Sequence, residues 1–194
     1  MRIVAGSAKG RLLKSPRGRK IRPTSDKVKS AFFNITSDYI NNASFLDLFS
    51  GTGNIGLEAL SRGAGRAVFV EKDSYSVQLI RENILLTGMQ KFATVLPCDV
   101  YRALKILGEK KELFNIIYID PPYKYQGIEE LVQLLSKENL VENGGIIAVE
   151  RDSHTRERET WLENSPFQPW QRKIYGNTLL VLLKNLEILN KDGV

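Results

Sequence analysis

The sequence predicts an α/β fold: a doubly wound, mostly parallel sheet of seven strands that ends in an antiparallel hairpin. Three observations support this prediction. From residue 43 to about residue 150, short apolar segments alternate with segments that have helical periodicity. A glycine-rich turn, Gly51-x-Gly53-x-x-Gly56, lies between the first of these strands and a helix. Near the end of the chain, two strand-like runs meet at Gly176-Asn177, which is a typical hairpin signal.

The individual elements follow in regular order. A first helix is expected to begin after Thr24 or Ser25 and to end at Asn41, with Lys27 and Lys29 on its outer face. The predicted strands are 43–49, 66–70, 92–96, 113–119, 146–150, 170–175 and 178–183. The predicted helices between them are 57–62, 74–87, 100–107, 128–136 and a short helix near 155–162.

The composition excludes several kinds of protein. The single cysteine, Cys98, rules out an internal disulfide bond. Together with the single histidine, His154, it leaves too few ligands for a Cys/His zinc site, and no metal is expected. The chain contains no apolar stretch of membrane-spanning length and no signal-peptide core at its N-terminus. We therefore expect a cytoplasmic protein without a membrane partner.

The positive charge is concentrated near the N-terminus. Residues 1–30 contain ten Lys/Arg and one acid, a net charge of +9, whereas the rest of the chain carries −3. We predict that a basic arm or hairpin, residues 1–22, binds nucleic acid phosphates; a disordered solubilising tail is the alternative. The other predicted units are a single domain, 23–186, and a tail, 187–194. The residues assigned to the phosphate contact are Lys9, Arg11, Lys14, Arg17, Arg19, Lys20 and Arg22.

The apolar run 113–119 ends at Asp120-Pro121-Pro122-Tyr123. Two consecutive prolines have no N–H groups to donate, so the strand must stop at Asp120. Ligands of open parallel sheets bind at the carboxyl ends of the strands. This stop therefore places a carboxylate, a prolyl carbonyl and an aromatic ring where a ligand binds. An ordinary turn is the alternative interpretation.

The glycine turn matches the dinucleotide-binding fingerprint, because Glu71 follows Gly51 by twenty residues at the end of the next predicted strand. A nicotinamide or flavin enzyme is therefore one interpretation. However, Asp47 inside the first strand would repel a pyrophosphate and would suit a ligand with cationic groups. S-adenosylmethionine has an amino group, a sulfonium and no phosphate, which favours it as the cofactor.

The motifs also resemble those of a known class of enzymes. Residues 45–53 resemble the first motif of Rossmann-like methyltransferases, and Asp120-Pro121-Pro122-Tyr123 resembles the fourth motif of those that methylate exocyclic amines. The whole chain apart from a few C-terminal residues is similar to one group, the RsmD family of bacterial 16S ribosomal RNA guanine-N2 methyltransferases. The further segments that carry this similarity are 2–6, 9–11, 22–28 and 175–178.

The resemblance implies methyl transfer from S-adenosylmethionine to the N2 amine of a guanine in 16S rRNA, within the small ribosomal subunit or an assembly intermediate. Glu71 would bind the ribose of the cofactor and Asp99 its adenine. The residues implied at the methionine part are Asp47, Ser50, Gly51, Thr52 and Gly53. The implied catalytic residues are Asp120, Pro121, Pro122 and Tyr123. The Asp120 carboxylate and the Pro121 carbonyl would accept the amine hydrogens while Tyr123 stacks on the base.

Two other functions stay open at the level of sequence. A DNA amino-methyltransferase acting on adenine N6 or cytosine N4 would use the same Pro-Pro motif. Against it, the chain lacks the separate target-recognition region that sequence-specific DNA reading typically needs. A non-catalytic RNA-binding module on a cofactor fold is the second alternative.

Overall fold

The computed structural model describes residues 1–16, 26–122, 125–154 and 160–186. The strands are β1 (Ser44–Leu48), β2 (Arg66–Val70), β3 (Ala93–Leu96), β4 (Phe114–Ile119), β5 (Val141–Asp152), β6 (Gln168–Tyr175) and β7 (Thr178–Lys184). The helices are α1 (Asp26–Ile35), α2 (Ser37–Ile40), α3 (Asn54–Ser61), α4 (Ser74–Thr87), α5 (Val100–Glu109), α6 (Ile128–Lys137) and α7 (Thr160–Glu163). None of the helices in these described ranges is long and apolar enough to cross a membrane.

The seven strands form one sheet in the order β3-β2-β1-β4-β5-β7-β6. Strands β1 to β5 are parallel, while β7 is antiparallel to both β5 and β6. The predicted fold class and the C-terminal hairpin are therefore confirmed. The strand order reverses between β1 and β4, so the carboxyl ends of these two neighbours form the topological switch point of the sheet.

Several boundaries differ from the predicted ones. Helix α3 begins at Asn54 rather than at residue 57, because Gly53 has a left-handed backbone conformation (φ 77°) that turns the chain directly into the helix. The first predicted helix is divided into α1 and α2 at Thr36, whose buried side chain donates to the Phe32 carbonyl. Strand β5 is longer than predicted, since Val141 already pairs with Phe114 before a shift in register.

Helices cover both faces of the sheet, as the near-continuous apolar strands require. The apolar cluster on one face includes residues of α5, α6 and α7. The cluster on the other face includes residues of α1, α2, α3 and α4, together with Ile3 and Leu13 from the N-terminus.

The N-terminus forms an ordered hairpin packed against the domain. Arg2 and Leu12 form an antiparallel bridge, and the Leu13 N–H donates to the Met1 carbonyl at 3.0 Å. Ile3 is fully buried and Leu13 is 6% exposed. An ordered hairpin is thus present up to residue 16. Arg17, Arg19, Lys20 and Arg22 lie outside the described residues, as do the predicted boundary between residues 22 and 23 and the tail 187–194.

Lys29 is buried, and the prediction that it faces outward is wrong. Its ammonium donates to the Arg2 carbonyl at 2.8 Å and forms an ion pair with Glu58 at 3.2 Å, where both side chains are fully buried. The Glu58 carboxylate also accepts the N–H groups of Val4 and Ala5. The reason is tertiary: the N-terminal hairpin covers the side of α1 that helical periodicity identifies as polar. Lys27 is exposed, as predicted.

Candidate functional site

The candidate site lies at the switch point, where the glycine turn follows β1 and the Asp-Pro-Pro segment follows β4. Leu48 and Ile119, the last residues of these neighbouring strands, are paired in register. The Asp120 N–H lies 3.4 Å from the Leu48 carbonyl oxygen, to which it donates. Two motifs about seventy residues apart in sequence are therefore adjacent in space, as the parallel-sheet rule predicts.

The glycine turn is tightly wound. Phe49 has a φ of 60°, which is a strained conformation for a residue with a side chain. The Gly53 N–H donates to the Ser50 carbonyl at 2.7 Å and closes the turn. A Cβ atom at Gly56 would overlap the Phe69 ring, so this glycine allows α3 to pack closely against β2.

Asp47, on β1, holds the end of the glycine turn through a hydrogen bond. Its carboxylate is 2% exposed and accepts the Gly56 N–H at 2.9 Å. Burial raises the pKa of Asp47 to about 7, the hydrogen bond from Gly56 opposes this rise, and the Glu71 charge adds to it. A cation bound at the turn would favour the charged form of this carboxyl group.

The hydroxyl groups of the turn are engaged within the protein. The Ser50 Oγ donates to the Asp47 carbonyl at 2.6 Å and to the Val70 carbonyl at 3.2 Å, which ties the ends of β1 and β2 together. The Thr52 Oγ1 lies 3.6 Å from the Met1 Sδ. The cofactor contacts predicted for Ser50 and Thr52 stay predictions.

Two further predicted acids lie along the same edge of the sheet. Glu71 follows β2, and its carboxylate accepts the Gly51 N–H at 2.9 Å, directly beside the glycine turn. Asp99 follows β3, is exposed, and caps α5 by accepting the Arg102 N–H at 3.0 Å. With Asp47, these acids place three carboxylates at successive strand ends.

The corner after β4 combines half-buried Asp120 and Pro121 with an exposed Pro122. The Tyr125 N–H donates to the Pro122 carbonyl at 2.8 Å. Tyr123, the predicted base-stacking residue, lies outside the described residues. The corner therefore presents two of the predicted groups, a carboxylate and a prolyl carbonyl, beside the cofactor turn.

A buried polar pair lies under the corner and was not predicted. The Tyr118 hydroxyl, on β4 two residues before Asp120, donates to the Glu150 carboxylate of β5 at 2.6 Å. Burial, with the nearby charges of Glu150 and Asp120, raises the pKa of Tyr118 well above its usual value, so this hydroxyl stays protonated. The strand alternation that places Tyr118 and Asp120 on one face was the available sequence signal.

An aromatic latch, defined as Phe49, Tyr101 and Tyr125, joins three distant segments at the site. The Phe49 and Tyr125 rings meet edge to face with centroids 5.1 Å apart. The Tyr125 hydroxyl donates to that of Tyr101 at 2.9 Å, and Tyr101 donates to the Glu130 carboxylate at 2.9 Å. The latch holds the segment after the corner against the strained start of the glycine turn.

The predicted phosphate-binding residues that the structure describes lie on the hairpin. Lys9 and Arg11 are exposed, and Lys14 forms an exposed ion pair with Glu82 at 3.0 Å. Within the described ranges, no group of three or more His, Cys, Asp or Glu residues could hold a metal ion.

Comparison with known sequences identifies close relatives. A family model described as conserved hypothetical protein 95 matches residues 1–184. The protein YlbH of Bacillus subtilis (strain 168) is 39% identical over 160 residues, which cover 82% of this chain and 87% of the relative. Ribosomal RNA small subunit methyltransferase D of Escherichia coli (strain K12) is 36% identical over 153 residues, covering 78% of this chain and 75% of the relative.

Comparison with solved structures agrees with the fold. A hypothetical protein of Thermus thermophilus superposes with a TM-score of 0.78 at 32% identity, covering 94% of this chain and 98% of that one. An RNA methyltransferase of Salinibacter ruber, solved with S-adenosyl-L-homocysteine, gives a TM-score of 0.64 at 18% identity. It covers 88% of this chain and 97% of its own, and at this identity the match concerns the fold alone.

Proposed function

Because the chain belongs to the conserved hypothetical protein 95 family, we propose that it is a methyltransferase that transfers the methyl group of S-adenosylmethionine to the N2 amine of a guanine in 16S ribosomal RNA. The predicted membership of the RsmD family is confirmed by this match and by the Escherichia coli relative. The name of that relative supports small-subunit ribosomal RNA as the substrate. The choice of a guanine N2 amine rests on the sequence resemblance and on the chemistry of the corner.

The observation that carries the proposal is the contact between the Asp120 N–H and the Leu48 carbonyl oxygen, 3.4 Å apart. Through this contact, the Asp-Pro-Pro segment after β4 lies beside the glycine turn after β1, at the switch point of the sheet. In-line methyl transfer requires the sulfonium methyl and the attacking amine to approach closely, and two sites at neighbouring strand ends would allow this approach.

The residues at the turn fit S-adenosylmethionine. Backbone atoms of Gly51 and Gly53 would contact its methionine part, Glu71 its ribose hydroxyls, and Asp99 its adenine. The carboxyl groups of Asp47 and Glu71 lie next to the turn, where they would suit an ammonium and a sulfonium and repel a dinucleotide pyrophosphate. When bound, the cofactor supplies an electrophilic methyl group.

The corner would activate the amine. The lone pair of a guanine amine is delocalised into the ring, which makes the nitrogen a weak nucleophile. The Asp120 carboxylate and the Pro121 carbonyl would accept its two hydrogens and orient the lone pair towards the methyl group. The amine becomes positively charged as it is methylated, and the Asp120 carboxylate would stabilise this charge and take the proton.

Transfer of a tritiated methyl group into small ribosomal subunits from a strain that lacks the modification tests this function. We expect label in N2-methylguanosine after digestion to nucleosides. Label in N6-methyladenosine or N4-methylcytidine would instead indicate an enzyme that methylates the amine of adenine or cytosine. Calorimetric titration is the companion measurement, in which binding of NAD without binding of S-adenosylhomocysteine would contradict the cofactor assignment.

The hairpin should contribute to RNA affinity mainly through phosphates. In the Lys9→Ala/Arg11→Ala double variant, we expect the slope of log K against log salt to fall by about 1 to 2, because each lost phosphate contact removes roughly 0.7 to 0.9. Filter binding at several salt concentrations measures this slope. We expect the same direction for Arg17→Ala, Arg19→Ala and Lys20→Ala together.

The control for this test is Lys137→Ala. Lys137 is exposed in the last turn of α6, at the edge of the sheet opposite the site. The substitution removes one positive charge and should leave the salt dependence unchanged. An unchanged slope in the hairpin variants would contradict phosphate binding by the basic segment and would favour the alternative, a solubilising extension.

A further inference from the structure

Asn83 on α4 is fully buried although its side chain is an amide. Its Oδ1 accepts the Lys14 N–H at 2.7 Å, and its Nδ2 donates to the Lys14 carbonyl at 3.1 Å. The same Nδ2 donates to the Thr52 carbonyl at 3.0 Å. One side chain therefore joins the end of the N-terminal hairpin to the middle of the glycine turn.

The amide is used completely in this bridge. Both N–H bonds of Nδ2 and the oxygen have backbone partners, so Asn83 pairs with Lys14 as a neighbouring strand would. Its neighbours on α4, Ile80 one turn earlier and Ile84 directly after it, belong to the apolar core. A buried amide costs free energy unless it is hydrogen-bonded, so packing alone does not explain an asparagine here.

A second buried bridge runs in parallel to the first. The Lys29 ammonium donates to the Arg2 carbonyl at 2.8 Å and to the Asn54 Oδ1 at 2.9 Å. Arg2 and Lys14 lie on the two arms of the hairpin, and Thr52 and Asn54 flank Gly53. One arm is thus tied to Asn54 through Lys29, and the other to Thr52 through Asn83.

We infer that Asn83 is a positioning residue that couples the basic hairpin to the cofactor turn, so that RNA binding at the hairpin and cofactor binding at the turn strengthen each other. This inference rests on the proposed function. The coupling arises because ordering of either partner lowers the cost of ordering the other through a shared set of hydrogen bonds. By linkage, the two ligands must affect each other's affinity by the same factor.

Hydrogen exchange in the wild-type protein tests the coupling without any substitution. The Lys14 amide reports on the bridge directly, because it donates to Asn83. Addition of S-adenosylhomocysteine should slow its exchange several-fold, although Lys14 lies outside the turn. The Glu138 amide, which donates to Leu134 at the end of α6, is the internal reference and should not change. Equal exchange at Lys14 with and without the ligand would overturn the inference.

The Asn83→Asp variant tests the residue itself. It keeps an acceptor for the Lys14 N–H and removes the Nδ2 hydrogens that bond to the Lys14 and Thr52 carbonyls. We expect S-adenosylhomocysteine to bind about tenfold more weakly, the effect of losing the buried hydrogen bond that reaches the turn at Thr52. In the wild type, small ribosomal subunits should raise the affinity for S-adenosylhomocysteine. We expect the factor of this increase to fall towards one in the variant. Calorimetry with and without the subunits measures both quantities.

Glu82→Gln is the matched control, since Glu82 adjoins Asn83 and contacts Lys14 through an exposed ion pair without contacting the turn. It should bind S-adenosylhomocysteine as the wild type does. If Asn83→Asp also keeps wild-type affinity and coupling, the inference is wrong while the proposed function stands. If Asn83→Asp does not fold, hydrogen exchange at the Lys14 amide of the wild-type protein still tests the inference. A wild-type protein that binds no S-adenosylhomocysteine contradicts both.

Discussion

Asp120→Asn is expected to reduce methyl transfer to small ribosomal subunits by about 10²- to 10³-fold, the usual cost of removing a group that accepts a proton or stabilises developing charge. The change is isosteric and removes the negative charge beside the amine. Asp120→Ala removes both side-chain oxygens of residue 120 as well and should abolish transfer. Single-turnover transfer with saturating cofactor measures the chemical step.

The loss should be confined to this step. Both variants should bind S-adenosylhomocysteine and RNA within a few-fold of the wild type, because the glycine turn and the hairpin lie on other segments. Asp38→Asn, at an exposed position on α2, is the matched control for the loss of one negative charge. Full activity of Asp120→Asn would mean that the segment after β4 is an ordinary turn and that catalysis occurs elsewhere.

Glu58→Gln is expected to lower the free energy of unfolding by about 3 to 5 kcal/mol, because it leaves the Lys29 ammonium buried without its carboxylate. Both side chains are fully buried at a separation of 3.2 Å, and among the described residues the other acid paired with Lys29 is the largely exposed Asp26 at 3.8 Å. Urea denaturation followed by circular dichroism measures the change.

A double variant distinguishes the ion pair from general packing. Lys29→Met/Glu58→Gln removes both charges of this pair, while the introduced amide oxygen at position 58 can still accept from the Val4 N–H or the Arg62 guanidinium, so much of the lost stability should return. Glu112→Gln breaks the half-exposed Arg66–Glu112 pair and should cost less than about 1 kcal/mol. If the double variant is no more stable than Glu58→Gln, the buried charge of Lys29 is not the cause of the loss.

Local patterns were sufficient for much of the fold. The strand 66–70 and the helix 74–87 were predicted at their observed bounds, and Gly88 ends that helix in a left-handed conformation. These features depend on residues within one or two turns of each other. The α1–α2 division and the extension of β5 to Val141 were missed, because pairing with Phe114 and the packing around Thr36 decide them.

The sequence also determined which motifs meet at the site. A sheet of alternating strands and helices must bring the ends of β1, β2, β3 and β4 to one edge, so the proximity of Asp47, Gly51, Glu71 and Asp120 followed from chain order alone. Their chemical character pointed to a cationic cofactor, because carboxyl groups gathered at one edge of the sheet favour a positively charged ligand.

Only the tertiary structure decided how the hairpin, the turn and the corner are held together. Lys29 was expected to face solvent, and Asn83, Tyr101 and Tyr125 carried no recognisable signal. Their partners lie far away in sequence: Lys29 bonds to Arg2, Asn83 to Lys14, and Tyr125 to Tyr101. Helical periodicity predicts which side of a helix is polar. It does not predict which distant segment covers that side, because this depends on how the whole chain packs. A polar side chain then becomes a buried bridge where a distant backbone supplies its hydrogen-bond partners.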